Sequence, residues 1–190
     1  MNRRRLTSLA AALVVSLAGA ASLALPAPAV AASAHDIDRD ARGALARLYR
    51  QNPAARAIGA KARAVLIFPS IIKGGLVFGG AYGEGELLKG GRAAGFYNTA
   101  SASWGLQAGA QAYGYAVFLM NDKAVRYLEQ SKGWEIGVGP TVVVVDAGKA
   151  ANLSTTTLKD DAYAFIFGQK GLMAGVSLEG SKVSHIHPKP

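Results

Sequence analysis

The chain has 190 residues, with 21 Lys and Arg against 12 Asp and Glu, a formal charge of +9 and no cysteine. Without cysteine there are no disulfides, no thiol catalysis and no thioether lipidation. The positive balance favours anionic partners such as membrane surfaces, acidic polymers or nucleic acid.

Met1 to Arg5 is a basic cluster, Leu6 to Leu25 carries no charge, and Pro26 and Pro28 precede the small residues Ala29-Val30-Ala31. That order predicts a secretory signal peptide over residues 1–31, cleaved after Ala31 or Ala32; a retained membrane span is the alternative. Leu17-Ala18-Gly19 opens like a lipoprotein signal, but Ala20 stands where the lipidated cysteine would be. Removing Arg3, Arg4 and Arg5 leaves a mature chain of about +6. Export makes nucleic acid the least fitting anionic partner, and the predicted location is the periplasm or cell surface. The remaining residues, 32–190, are read as a single domain, long enough to bury about two-thirds of its unfolded surface by packing alone.

Ala41, Leu45, Leu48 and Tyr49 fall on one helical face within 35–62, and Asn52-Pro53 caps and starts a second helix. Ala64 to Phe68 is a short apolar run before Pro69, which predicts a buried strand. Glycine then dominates, and Gly90-Gly91 predicts the turn of an antiparallel hairpin. Residues 102–120 alternate between aromatic or amide side chains and small ones, which predicts one curved strand. Asn121-Asp122 caps a short helix through Leu128, stopped by Gly133. Strands are predicted at Trp134–Ile136 and Thr141–Val145. A hairpin of Tyr163–Phe167 with Leu172–Leu178 is predicted around Gln169-Lys170-Gly171, and Ser181–His187 closes the chain. The fold class is therefore α+β, a strongly curved, glycine-rich antiparallel sheet or partial barrel with amino-terminal helices and one short inserted helix.

Catalytic patterns do not assemble. The glycines form neither a dinucleotide fingerprint nor a P-loop, and no nucleophile elbow is present. His185 and His187 share a strand face, as two metal ligands would, but no third ligand accompanies them. Glu84 and Glu86 also share a face, either as an acid–base pair or as the wet side of a half-buried strand. The expectation is a protein that is not an enzyme and has no cofactor and no metal. Lys61, Arg63, Lys73, Lys89 and Arg92 sit at or beside strand ends and turns. They either gather on one basic rim able to bind phosphate groups or scatter over a solvated surface. Ile71, Ile72 and Leu76 would add apolar burial beside such a rim.

Several longer phrases carry a family resemblance. Val65-Leu66-Ile67-Phe68-Pro69 through Gly79-Gly80-Ala81-Tyr82-Gly83-Glu84-Gly85, Ser103-Trp104-Gly105-Leu106-Gln107-Ala108-Gly109-Ala110-Gln111, Trp134-Glu135-Ile136-Gly137-Val138 and Lys170-Gly171-Leu172-Met173-Ala174-Gly175-Val176-Ser177-Leu178-Glu179-Gly180 resemble, in order, the SYLF domain. The resemblance covers nearly all of residues 60–187. It implies a lipid-binding module: eukaryotic members bind acidic phospholipids, and some act with actin at membranes, whereas bacterial members are stand-alone exported proteins. This chain resembles the bacterial kind without its lipidated cysteine. The expected function is association with anionic phospholipid or another acidic envelope lipid through the basic rim. The alternative is a structural or protein-partner module of the cell envelope that does not contact lipid.

Overall fold

A computed structural model describes residues 32–75, 78–104, 109–131, 133–136, 138–145, 158–171 and 181–190. The predicted signal peptide, the predicted strand over 172–178 and Leu76 lie outside these residues. Residues 31–190 form a compact unit of their own.

Helix α1 (Ala34–Gln51) begins where the Ser33 side chain accepts from the Asp36 N–H, and it buries Ile37, Ala41, Ala44 and Leu48 along one stripe. Asn52 ends α1 and caps α2 (Pro53–Gly59), its side chain accepting from the Ala55 N–H while Pro53 takes the first turn. The strands are β1 (Ala64–Gly75), β2 (Phe78–Lys89), β3 (Arg92–Trp104), β4 (Gly109–Leu119), β5 (Trp134–Glu135), β6 (Val142–Val145), β7 (Ala162–Gly171) and β8 (Lys182–Ile186), with α3 (Asp122–Gln130) between β4 and β5. They form one sheet in the order β5-β8-β3-β2-β1-β4-β7-β6. The sheet is strongly curled into a half-barrel, so the α+β class with a curved sheet holds. Its pairings are antiparallel except β6 with β7, which is parallel and corrects the all-antiparallel expectation.

Four local readings also change. Pro69 does not end β1: the register shifts between Ile67 and Ser70 against β2 and between Phe68 and Ile71 against β4, a bulge that accepts a residue lacking an N–H, and the strand runs on to Gly75. Residues 102–120 are not one strand. β3 pairs with β2 and β8 while β4 pairs with β1 and β7, so β2 and β1 lie between them in the sheet. Gln169-Lys170-Gly171 is not a turn either, because Gly168 at φ +61° bulges β7, whose Lys170 and Gly171 then pair with β4. The paired glutamates are not alike: Glu86 is fully buried and Glu84 only half-buried. The predicted Gly90-Gly91 turn is present, with φ of 55° and 76°, the left-handed pair that a two-residue hairpin needs.

Two cores lie on the two faces of the sheet. The inner one draws Trp134, Val183, Tyr97, Leu87, Tyr115 and Ala164 from strands across the sheet, together with Val125 and Leu128 of α3. A cluster drawn from so many strands marks the inside of the curl. The outer core packs α1 and α2 onto Val65, Ile67, Leu88, Ala116, Phe118 and Phe165. The ends of the unit meet, because the Ala34 N–H donates to the Lys189 carbonyl at 2.8 Å and β8 pairs with β3.

α3 hangs on Asn121, whose Oδ1 accepts from the Ala124 N–H at 2.9 Å and whose Nδ2 donates to Asp161 at 2.8 Å. Asn121→Ala removes both bonds and should cost about 1 kcal/mol of stability. The readout is a lower denaturant midpoint at unchanged slope.

Candidate functional site

The five cations expected to form one rim separate into four and one. Arg63 immediately precedes β1, Lys89 ends β2 opposite Ala64, and Arg92 opens β3 opposite Lys89. Lys61 lies in the turn just after α2. These four share one end of the sheet. Lys73 pairs with Ala81 and Gln111 near the other end of β1, about 30 Å away at the rise of an extended strand. The parity of Lys73 also puts it on the inner face, as a half-buried residue. Strand length is legible only if Pro69 is recognised as a bulge, which is why one rim was expected to hold all five.

The four-cation end is mixed in sign. Arg63 Nε lies 3.8 Å from Asp122 Oδ1 and Lys89 Nζ lies 2.5 Å from Glu129 Oε1. Both acids belong to α3, and with Val125 and Arg126 they line a depression of about 350 Å³. A phosphate arriving there competes with carboxylates already in place.

A second hollow, of about 540 Å³, lies where the carboxy-terminal turns of α1 meet the β1 bulge, β4 and β7. Arg47 and Lys170 face it with Gln51 and Ser70, over a lining that includes Pro69 and Phe167. Cations, hydrogen-bonding side chains and apolar walls together suit an anionic amphiphile: guanidinium and ammonium donate to phosphate oxygens, and carbon meets Pro69 and Phe167. Lys170 escaped the sequence reading because it was assigned to a turn. Only the bulge at Gly168 brings it into β7 opposite Ala112.

Beyond this hollow the outer face of the sheet carries exposed large apolar side chains. Ile72, Phe78 and Tyr82 are 65%, 75% and 49% exposed. Ile72 was expected to lie at an apolar surface and does, whereas Ile71 points inward and is buried. The Tyr82 hydroxyl donates to Glu84 Oε1 at 2.8 Å.

Under α1 lies Glu86, fully buried, with neither carboxyl oxygen paired to a hydrogen-bond donor. Burial first, then the neighbouring Asp38 carboxylate, push its pKa up to about 7, and Arg42 offsets part of this. Hydrogen bonding toward Asp38 favours the neutral carboxyl further. Asp38 itself is held below the usual carboxylate range chiefly by the hydrogen bond from Arg42, against some desolvation.

His185 and His187 lie side by side with their rings tilted 58° to each other. The His185 and His187 rings are 4.7 Å apart, and His185 meets the Tyr97 ring edge-on at 5.1 Å. Among the described residues no group of three or more His, Asp and Glu is placed to hold a metal ion. No helix among them is long and apolar enough to cross a membrane.

No curated protein matches the chain. Residues 100–187, from late β3 to just beyond β8 and somewhat under half of the chain, match the family model Ysc84, described as Las17-binding protein actin regulator. The helices α1 and α2, with β1 and β2, precede the match. Over residues 100–187 the carboxy-terminal part of the chain is thus similar to the Ysc84, or SYLF, family.

Proposed function

We propose that this is an exported, non-enzymatic lipid-binding protein of the bacterial periplasm or cell surface, acting after removal of residues 1–31. Its ligand on this reading is anionic phospholipid or another acidic envelope lipid. The observation that carries the proposal is the hollow beside the β1 bulge, where Arg47 and Lys170 converge over an apolar lining. The rim of Lys61, Arg63, Lys89 and Arg92 is a second, weaker contact, because Asp122 and Glu129 already engage two of its members. Nothing in this reading needs a cofactor or a metal.

The test is co-sedimentation of residues 32–190 with phosphatidylcholine vesicles of increasing phosphatidylglycerol content, at low and at physiological salt. Binding should rise with anionic lipid and weaken with salt. The Arg47→Ala/Lys170→Ala double variant should lose about tenfold or more, as expected for the loss of two charge-assisted contacts. Alanine at all four rim positions should lose less. Absence of binding at either salt overturns the lipid reading. The family description, Las17-binding protein actin regulator, supports the second reading of an envelope protein-partner module, which a defined cross-linked partner would then establish.

A further inference from the structure

The strand registers build an ordered surface on the outer face. One row of directly opposed residues crosses six strands: Lys182, Ala100, Tyr82, Ile72, Ala112 and Lys170. Directly opposed residues point to the same side of a sheet, so two lysines about 24 Å apart flank an apolar centre about 14 Å wide at ordinary strand spacing. Both lysines are exposed. Glu135 of β5 stands opposite Lys182 and bounds that flank, which leaves Lys170 as the stronger of the two cations.

The neighbouring rows grade in polarity. Toward the helices, Ser184, Asn98, Glu84 and Ser70 form a polar row, and Tyr82 reaches into it through its hydroxyl. Away from the helices, Ala102, Gly80, Gly74 and Ala110 form a row with almost no side chain, beyond which Phe78 stands exposed. Polar groups, then a tyrosine with its hydroxyl turned toward them, then an apolar zone flanked by lysines repeat the order of a bilayer surface from headgroup to acyl chain. Lysine stems lie along apolar surface while their ammonium groups stay at phosphate level, and anionic headgroups complement them.

We infer that this outer face, centred on Ile72, Phe78 and Tyr82, is where the protein inserts into the surface of an anionic bilayer. The inference rests on the lipid-binding reading and deepens it, since the protein then embeds in a membrane surface rather than lifting a single lipid out of it. The hollow with Arg47 borders the same face and shares Lys170 and Ala112 with it, so headgroup capture and insertion take place side by side.

The cysteine-free sequence allows single probes. An environment-sensitive fluorophore placed at Tyr82→Cys or Phe78→Cys of residues 32–190 is mixed with phosphatidylcholine–phosphatidylglycerol vesicles carrying nitroxide-labelled acyl chains. Both positions should shift to shorter wavelength and be quenched, while a probe at Gln130→Cys on α3 should not. Phe78→Asp with Ile72→Asp should cut vesicle partition at least about tenfold, with the folded circular dichroism spectrum retained. Vesicle binding without quenching at 78 and 82 overturns the insertion face and leaves the lipid reading standing. Loss of all vesicle binding in the unlabelled protein removes both. A probe shift that needs no vesicles but grows with protein concentration assigns the face to a second copy of the chain. One that needs neither assigns it to the chain's own residues, and either result also overturns the inference.

Discussion

Glu86→Gln should leave stability nearly unchanged at pH 4 and raise it by about 3 kcal/mol at pH 8. In the wild-type protein the folded state holds Glu86 protonated up to about pH 7, whereas the unfolded chain releases that proton near the ordinary glutamate value. Its contribution is therefore fully present below about pH 4.5 and is lost as pH rises through 7. The glutamine amide keeps a donor toward Asp38 and has no charge to bury, so the loss disappears. Asp36, Asp38 and Asp161 act in the opposite sense, since hydrogen bonds hold each below the usual carboxylate range. Their contribution fades only on acidification through those lowered values. Urea titrations of both proteins across pH 4–8 measure the difference. A wild-type midpoint that does not fall between pH 4.5 and 7 would mean that Glu86 is already ionised under α1.

Gly85→Val is expected to be more severe, costing about 3 kcal/mol or more and failing to fold at elevated temperature. A Cβ at Gly85 would approach the Ile67 carbonyl oxygen and the Phe68 ring edge far inside contact distance, and the carbonyl belongs to the backbone of the paired strand. Side chains can turn away, but that oxygen cannot move without undoing the β1 bulge. Gly90→Ala provides the contrast. It meets nothing within 4 Å and costs only about 1–2 kcal/mol through its left-handed φ. Thermal unfolding of the two variants separates crowding at the bulge from backbone strain at the hairpin.

What could be read from sequence alone follows the range of the interaction. Asn52-Pro53, Asn121-Asp122 and Gly90-Gly91 act within four residues, so helix starts and the hairpin were legible. Glu84 and Glu86 share parity and were indistinguishable by pattern. Only the reach of α1 over the sheet buries one and leaves the other half-exposed. Lys73 was grouped with Lys89 because Pro69 looked like a strand end, and the bulge that keeps β1 going moves it to the far end. The row from Lys182 to Lys170 depends on five pairings, three of which (β8 with β3, β1 with β4, β4 with β7) join strands distant in sequence. No local pattern contains it, and the residues carrying the candidate insertion face read in sequence as scattered Ala, Gly and aromatics.

The pairing of β3 with β8 also sets a timetable. Thr99 lies opposite Val183, so the partner of β3 is synthesised 84 residues after it. At about 5–20 residues per second that delay is roughly 4 to 17 s. Throughout it β3 keeps an unpaired edge, and the inner core lacks Val183 and the support it gives to Trp134. A nascent chain of this design stays open and available to holdases until β8 appears. A carboxy-terminal truncation before Lys182 would extend that state indefinitely, and the product would be recognised as a folding failure rather than as a shortened protein.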